Sequence, residues 1–136
     1  MRSVLIVSPH RPSRDLLARI LAEPEVKVSA TGDADEAFAA IKSRPPALVV
    51  VDLRRPDEDH PLFLALLRKR HPALPVIALV PGRMRIFDGQ AECVHDVQRA
   101  DPTEGLRVTL DLLRDTMHDL FTQHVLRVLR TPVGEA

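Results

Sequence analysis

Leu48-Val49-Val50-Val51-Asp52-Leu53-Arg54-Arg55-Pro56 is the stretch that decides the fold. Four consecutive apolar residues, three of them valine, suit a strand buried on both faces, as the inner strands of a parallel sheet are. An aspartate at the carboxyl end of such a strand stands where open α/β sheets place their chemistry. Pro56 restricts the loop that follows, and a helical pattern resumes at Pro61.

Working outward, the pattern repeats. Val4–Val7 reads as a first strand, followed by the loop Ser8-Pro9-His10-Arg11-Pro12 and a helix with Leu16, Leu17, Ile20 and Leu21 at three-and-four spacing. Pro24 ends that helix. Val26 and Val28 alternate with Lys27 and Ser29, which suits a short strand near a sheet edge. Thr31-Gly32-Asp33 offers a cap for a helix carrying Ala37, Phe38 and Ile41 inward. Pro45-Pro46 breaks it before the Asp52 strand. A third helix with Leu62, Phe63, Leu66 and Leu67 as its stripe stops at Pro72 and Pro75, and Val76–Val80 is another buried strand. The segment 81–89 is weakly patterned, anchored only by Met84, Ile86 and Phe87, and a fifth strand falls around Glu92–Val97. Five alternations of strand and helix predict a right-handed βαβ sheet covered on both faces. Asp101-Pro102-Thr103-Glu104 opens the last helix, with Asp101 as N-cap and Pro102 at the first helical position.

Composition bounds the function. A chain of 136 residues suits one domain. Nineteen basic against nineteen acidic residues leave no net charge, and no basic stripe is present, so nucleic acid is not an expected partner. Apolar runs such as Ala47–Val51 are too short to cross a bilayer, and the amino-terminal segment reads as a strand, not a signal peptide. Cys93 is the only cysteine, which excludes an internal disulfide and a multi-cysteine metal site within one chain. Cytoplasmic localisation follows. Only three of the nineteen basic residues are lysine and twelve residues are proline, a usage suited to a GC-rich bacterial genome.

Residues 1 to about 115 resemble the receiver domains of bacterial response regulators. The resemblance rests on Val4-Leu5-Ile6-Val7, Asp35-Glu36-Ala37-Phe38, the strand into Asp52 with Pro56, Leu74-Pro75-Val76-Ile77-Ala78-Leu79 and Asp101-Pro102-Thr103-Glu104-Gly105-Leu106, in that order. It implies a flavodoxin-like (βα)5 three-layer sandwich with a five-stranded parallel sheet, here with an extended C-terminal helix, divided as a receiver-like domain (1–115) and an extension (116–136). It also implies that Asp52 occupies the phospho-acceptor position.

Around Asp52, however, the family's pattern is degenerate. Receivers hold a divalent cation with an acidic pair after the first strand, and Ser8 and Pro9 stand there. Neither can replace a carboxylate around a hard, oxygen-seeking Mg²⁺. Val80 takes the place of a hydroxyl residue at the end of the fourth strand, and Gln98 or a neighbour takes the place of a lysine. Phosphoryl transfer depends on positioning and on charge neutralisation, so the expectation is a vestigial site, no Mg²⁺ and no resident cofactor. Asp52 then caps its loop or pairs with Arg11, Arg54 or Arg55. Metal-independent phosphorylation and binding of another ligand are the alternatives.

His10, Asp52, Asp57, Asp59 and His60 share one edge of the proposed sheet, which leaves open a small-ligand or metal pocket using His10, Asp52 and His60. Cys93 is expected to be a small buried hydrophobe. Phosphate-cradling and nucleophile-elbow motifs are missing, so no enzymatic activity is expected.

From Thr103 to Arg130 there is no proline, a span of about 42 Å as helix. Leu106, Leu110, Leu113, Met117, Leu120 and His124 follow four-three spacing, widened by Phe121 and Val128. One domain of this size is not expected to cover so long a stripe. Self-association through Leu113, Met117, Leu120, Phe121, His124 and Val128 is the preferred expectation. A bend near Asp115-Thr116 that folds the helix back, or docking on another protein, are the others. The sequence therefore points to a degenerate receiver acting in two-component signalling by protein contact, as a homodimer and with a further protein partner. A functional single-domain response regulator phosphorylated on Asp52 is the alternative.

Overall fold

The structure is a computed structural model that describes residues 2–54, 60–89, 92–96 and 110–123. Strand β1 (Arg2–Val7) leads to helix α1 (Arg11–Leu21), β2 (Val26–Thr31), α2 (Ala34–Ser43), β3 (Leu48–Asp52), α3 (His60–Arg70) and β4 (Val76–Val80). Strands β5 (Arg83–Phe87) and β6 (Glu92–Asp96) follow, and residues 110–123 form a last helix, α4. The sheet order is β2-β1-β3-β4-β5-β6. Pairings among β1 to β4 are parallel, whereas β4–β5 and β5–β6 are antiparallel.

The α/β flavodoxin-like expectation holds, with one change of topology: among the described residues the sheet has six strands and is mixed, not five-stranded and parallel. The reason lies at Pro81-Gly82. Val80 pairs with Arg83, so only two residues join β4 to β5. A parallel neighbour needs a crossover of a dozen or more residues, which two residues cannot supply. Proline at the first central position of the turn and Gly82 at φ +72 at the second satisfy a tight turn's backbone demands. The helix expected between the fourth and fifth strands is thereby replaced by a hairpin.

The core lies on both sides of the sheet. One face carries Val4, Ile6, Leu48, Val50, Ile77, Leu79, Met84 and Ile86 against Leu17 and Leu21 of α1 and Leu113, Met117, Leu120 and Phe121 of α4. The other carries Leu5, Val7, Val49, Val51, Val76 and Ala78 against Ala37 and Ile41 of α2 and Phe63, Leu64 and Leu67 of α3. Each residue of β3 is buried, as the apolar run demands. Two helices sit slightly rotated from expectation: Leu62 and Leu16 are exposed, and Leu64 takes the inward position. Phe87 of β5 is covered by the guanidinium groups of Arg68 and Arg85, 3.9 and 5.3 Å from its ring centre.

Helix α4 is held to α1 by more than apolar contact. The Arg114 guanidinium donates to the Ile20 carbonyl at 3.2 and 3.3 Å, and His118 Nε2 lies 2.9 Å from Glu23 Oε1. The first contact satisfies a carbonyl near the end of α1, one of the groups a helix terminus leaves without an intrahelical partner. A boundary after residue 115 would fall inside this continuous helix, whose residues on both sides enter the same core.

Candidate functional site

The site grows from the carboxyl ends of β1 and β3, which are neighbours in the sheet. At the end of β3 stands Asp52, only 4% exposed. Its carboxylate is fully engaged. Arg54 Nε donates to Oδ1 at 2.8 Å and Arg54 Nη2 donates to Oδ2 at 3.0 Å, a two-point fork from a residue two positions along the same chain. The Arg54 backbone N–H donates to Oδ1 at 3.1 Å, closing a short turn after the strand. The Ser8 hydroxyl, itself buried, donates to Oδ2 at 3.0 Å.

These contacts set the charge of the site. Burial pushes the Asp52 carboxyl up, but the hydrogen bonds and charge of Arg54, its backbone N–H and the Ser8 hydroxyl together outweigh burial and hold it below the ordinary carboxylate value. Asp52 is thus a stably ionised acceptor with a dedicated cation. Of the arginines expected as partners, Arg54 takes the role, and Arg55 lies outside the described residues.

Ser8 is positioned by a second arginine that sequence reasoning missed. Arg14, one turn into α1, reaches back to donate from Nη1 to the Ser8 carbonyl at 3.1 Å. Its guanidinium passes over Gly32, where a Cβ would collide with Nη1. The glycine is needed for that close approach. A spacing of six residues across a loop and a helix start follows no recognisable motif, which is why the contact was not legible.

Pro9 is exposed and has no oxygen-bearing side chain, and Val80, half-buried at the end of β4, offers no hydroxyl. Gln98 lies outside the described residues. Among the described residues, the side-chain oxygens at Asp52 are therefore one carboxylate, both of whose oxygens already accept from a guanidinium, and one neutral hydroxyl that is donating. A hard divalent cation of the Mg²⁺ kind requires several free oxygens in near-octahedral array. The described side chains do not fit it.

Of the proposed His10–Asp52–His60 pocket, the described side chains are those of His10 and Asp52, and His10 is engaged elsewhere. His10 is the N-cap of α1: its Nδ1 accepts from the Ser13 backbone N–H at 3.3 Å and lies 2.7 Å from Ser13 Oγ. Its polar edge is spent on the helix start. His60 opens α3, while Asp57 and Asp59 lie outside the described residues. Among the described residues no three His, Cys, Asp or Glu side chains converge on a point that could hold a metal.

Two further placements correct the sequence reading. Leu113 and Met117 are fully buried and Leu120 and Phe121 nearly so, all in this chain's own core beneath α1. They are not free to form a seam with a second copy. His124 and Val128 lie outside the described residues. Cys93, expected inside the sheet, is exposed, because β6 is the edge strand among the described residues and all five of its residues are at the surface. No helix among the described residues is long and apolar enough to cross a membrane.

A family model described as the response regulator receiver domain matches residues 4–92. Coming on top of the sheet order and the strand-end aspartate, that match places the chain in the response regulator receiver family, signalling proteins of the two-component type. A search of curated proteins finds no match. Among solved structures, the receiver domain of the Francisella response regulator 1452 is similar at TM-score 0.62 and 18% identity, over 91% of this chain and 99% of that one. NtrX from Brucella abortus, crystallised with ADP, is similar at TM-score 0.63 and 23% identity over the whole of this chain. This chain spans only 31% of that NtrX chain. A transiently phosphorylated "switch" in bacterial signal transduction shares 30% identity over 60% of this chain and 65% of that one, at TM-score 0.51. The first two likenesses speak for the fold.

Proposed function

We propose that this receiver domain signals by protein contact from a single fixed state, without Mg²⁺-dependent phosphorylation of Asp52. The observation that carries the reading is the two-point grip of Arg54 on both oxygens of Asp52. An incoming phosphoryl group needs one of those oxygens as nucleophile and a cation to neutralise the charge that develops. Arg54 blocks the first and, as an internal cation, takes the place of the second. Ser8 and Pro9, where an acidic pair would bind the metal, support the same conclusion, and so does Val80 where a hydroxyl would hold a phosphoryl oxygen.

On this reading Arg54 mimics charge neutralisation permanently, and the domain is a rigid platform for a protein partner. The alternative, phosphorylation on Asp52, draws on the family match and on the place of Asp52 at the end of β3, but it requires Arg54 to release the carboxylate. A small-ligand pocket at His10 is disfavoured by that residue's service as a helix cap.

Treatment with acetyl phosphate and Mg²⁺ followed by intact-mass measurement tests the proposal. The expected result is an unchanged mass. A stoichiometric phospho-adduct on Asp52 would overturn it and leave a working receiver.

A further inference from the structure

Strand β6 has β5 on one side and, among the described residues, no strand on the other. Its sequence, Glu92-Cys93-Val94-His95-Asp96, sorts by alternation onto two faces. Cys93 and His95 stand on the α4 side, opposite Ile86 and Met84 of β5. Glu92, Val94 and Asp96 stand on the other side.

On the α4 side, Cys93 Sγ lies 3.7 Å from His95 Nε2. Two ligands on a tetrahedral zinc, with Zn–S about 2.3 Å and Zn–N about 2.0–2.1 Å, lie about 3.6 Å apart. The pair is therefore already at ligand spacing, with both side chains exposed. They line a recess of about 130 Å³ between β6 and α4 into which Asp88 and Asp119 also face, giving it acidic surroundings. Within one chain the set stops at two, since no third described His, Cys, Asp or Glu converges on the same point. A structural zinc takes four.

A two-fold axis beside Val94 completes the set. Antiparallel pairing of β6 with a second β6 about that residue sets Cys93 opposite the partner copy's His95 position, and His95 opposite its Cys93 position. Opposed side chains on one face then lie with Cβ atoms about 4.5–5.5 Å apart. We propose that two copies of this chain join edge to edge through β6 and share one zinc or similar soft divalent ion, held by Cys93 and His95 of each.

The opposite face of β6 fits the same arrangement. Val94, one of the few exposed large hydrophobic residues at 46%, would meet its own equivalent across the axis. Glu92 would face the equivalent of Asp96, a repulsive pair if bare. Both acids are already matched within the chain: Arg85 pairs with Glu92 and Arg83 with Asp96, the latter at 3.1 Å. Metal binding forms the S–metal bond with loss of the Cys93 thiol proton to solvent. No oxidant is needed.

The test uses the full chain under reducing conditions, with Zn²⁺ added alone or withheld, and reads mass by sedimentation and metal content after gel filtration. The expected result is a doubling of mass with half an equivalent of zinc retained per chain. Cys93→Ser and His95→Ala, at exposed positions, should each abolish both while leaving the far-UV spectrum unchanged. Asp119→Asn should leave both in place. With Co²⁺ in place of zinc, a thiolate-to-metal charge-transfer band should appear and vanish in Cys93→Ser. A full equivalent of metal on a monomer, loss of metal in Asp119→Asn, or no retention of zinc would each overturn the proposal. So would a zinc-induced dimer that survives both ligand substitutions.

Discussion

Asp52 is gripped on both carboxylate oxygens, and its contacts define what removing its charge should do. The carboxylate accepts from Ser8, from the Arg54 backbone and twice from the Arg54 side chain in a nearly closed environment. Hydrogen bonds to a charged group of this kind are each worth about 1.5–3 kcal/mol, and they are not additive. Asp52→Asn keeps the shape but loses the charge, so it should destabilise the fold by about 1–3 kcal/mol, measured by urea unfolding. The effect has a definite pH dependence. A carboxyl held below its unfolded value contributes stability that is complete above the unfolded value, near pH 3.9, and is lost as pH falls through the folded one. The difference in Tm between wild type and Asp52→Asn should be constant above about pH 5 and shrink as pH drops below about 4. A gap that widens on acidification would mean that the Arg54 contact does not stabilise the ionised form.

At the scale of the element, two segments govern what the molecule can offer to others. Helix α4 carries the four-three stripe that reads in sequence as a coiled-coil seam, yet Leu113, Met117, Leu120 and Phe121 are all spent on the sheet and on α1. The spacing was legible; the face it packs against was not, because a heptad seam and a core-facing stripe share their period over three turns. Leu120→Glu combined with Phe121→Glu should therefore abolish cooperative unfolding instead of giving a folded monomer. Truncating a single core Phe costs about 3–5 kcal/mol, before any charge is buried. Circular dichroism on heating checks this, and a double variant with the wild-type Tm would show that the helix end does not belong to the core. The second segment is the β4–β5 hairpin. Met84 and Ile86 alternate as a strand should, and Pro81-Gly82 is a turn dipeptide, so the signal was present. It was obscured because five residues between a turn and Asp88 are also compatible with a short helical remnant. Gly82 has open space around it but a positive φ, so Gly82→Ala should cost about 1 kcal/mol through backbone strain alone. Thermal unfolding would show no change if the turn could adopt another geometry.

For the whole molecule, most of the fold was legible and about half of the site. Buried strands β1, β3 and β4 announce themselves as valine-rich runs, and Asp33 caps α2 as its sequence context requires. Not legible was how the site is filled: the fork from Arg54 depends on a turn that only the folded loop defines, and the reach of Arg14 depends on the gap above Gly32. Both arginines bring positive charge to the carboxyl end of the sheet, where a receiver of the ordinary kind would recruit it from solution. On the proposed reading, the domain keeps one conformation with its neutralising charge built in. Titration of ¹⁵N-labelled protein with Mg²⁺ and then beryllofluoride, read at the amides of Ser8, Leu53 and Arg54, tests that most directly. The account predicts that those signals stay in place through both additions. A second set of peaks growing in at these residues would contradict it.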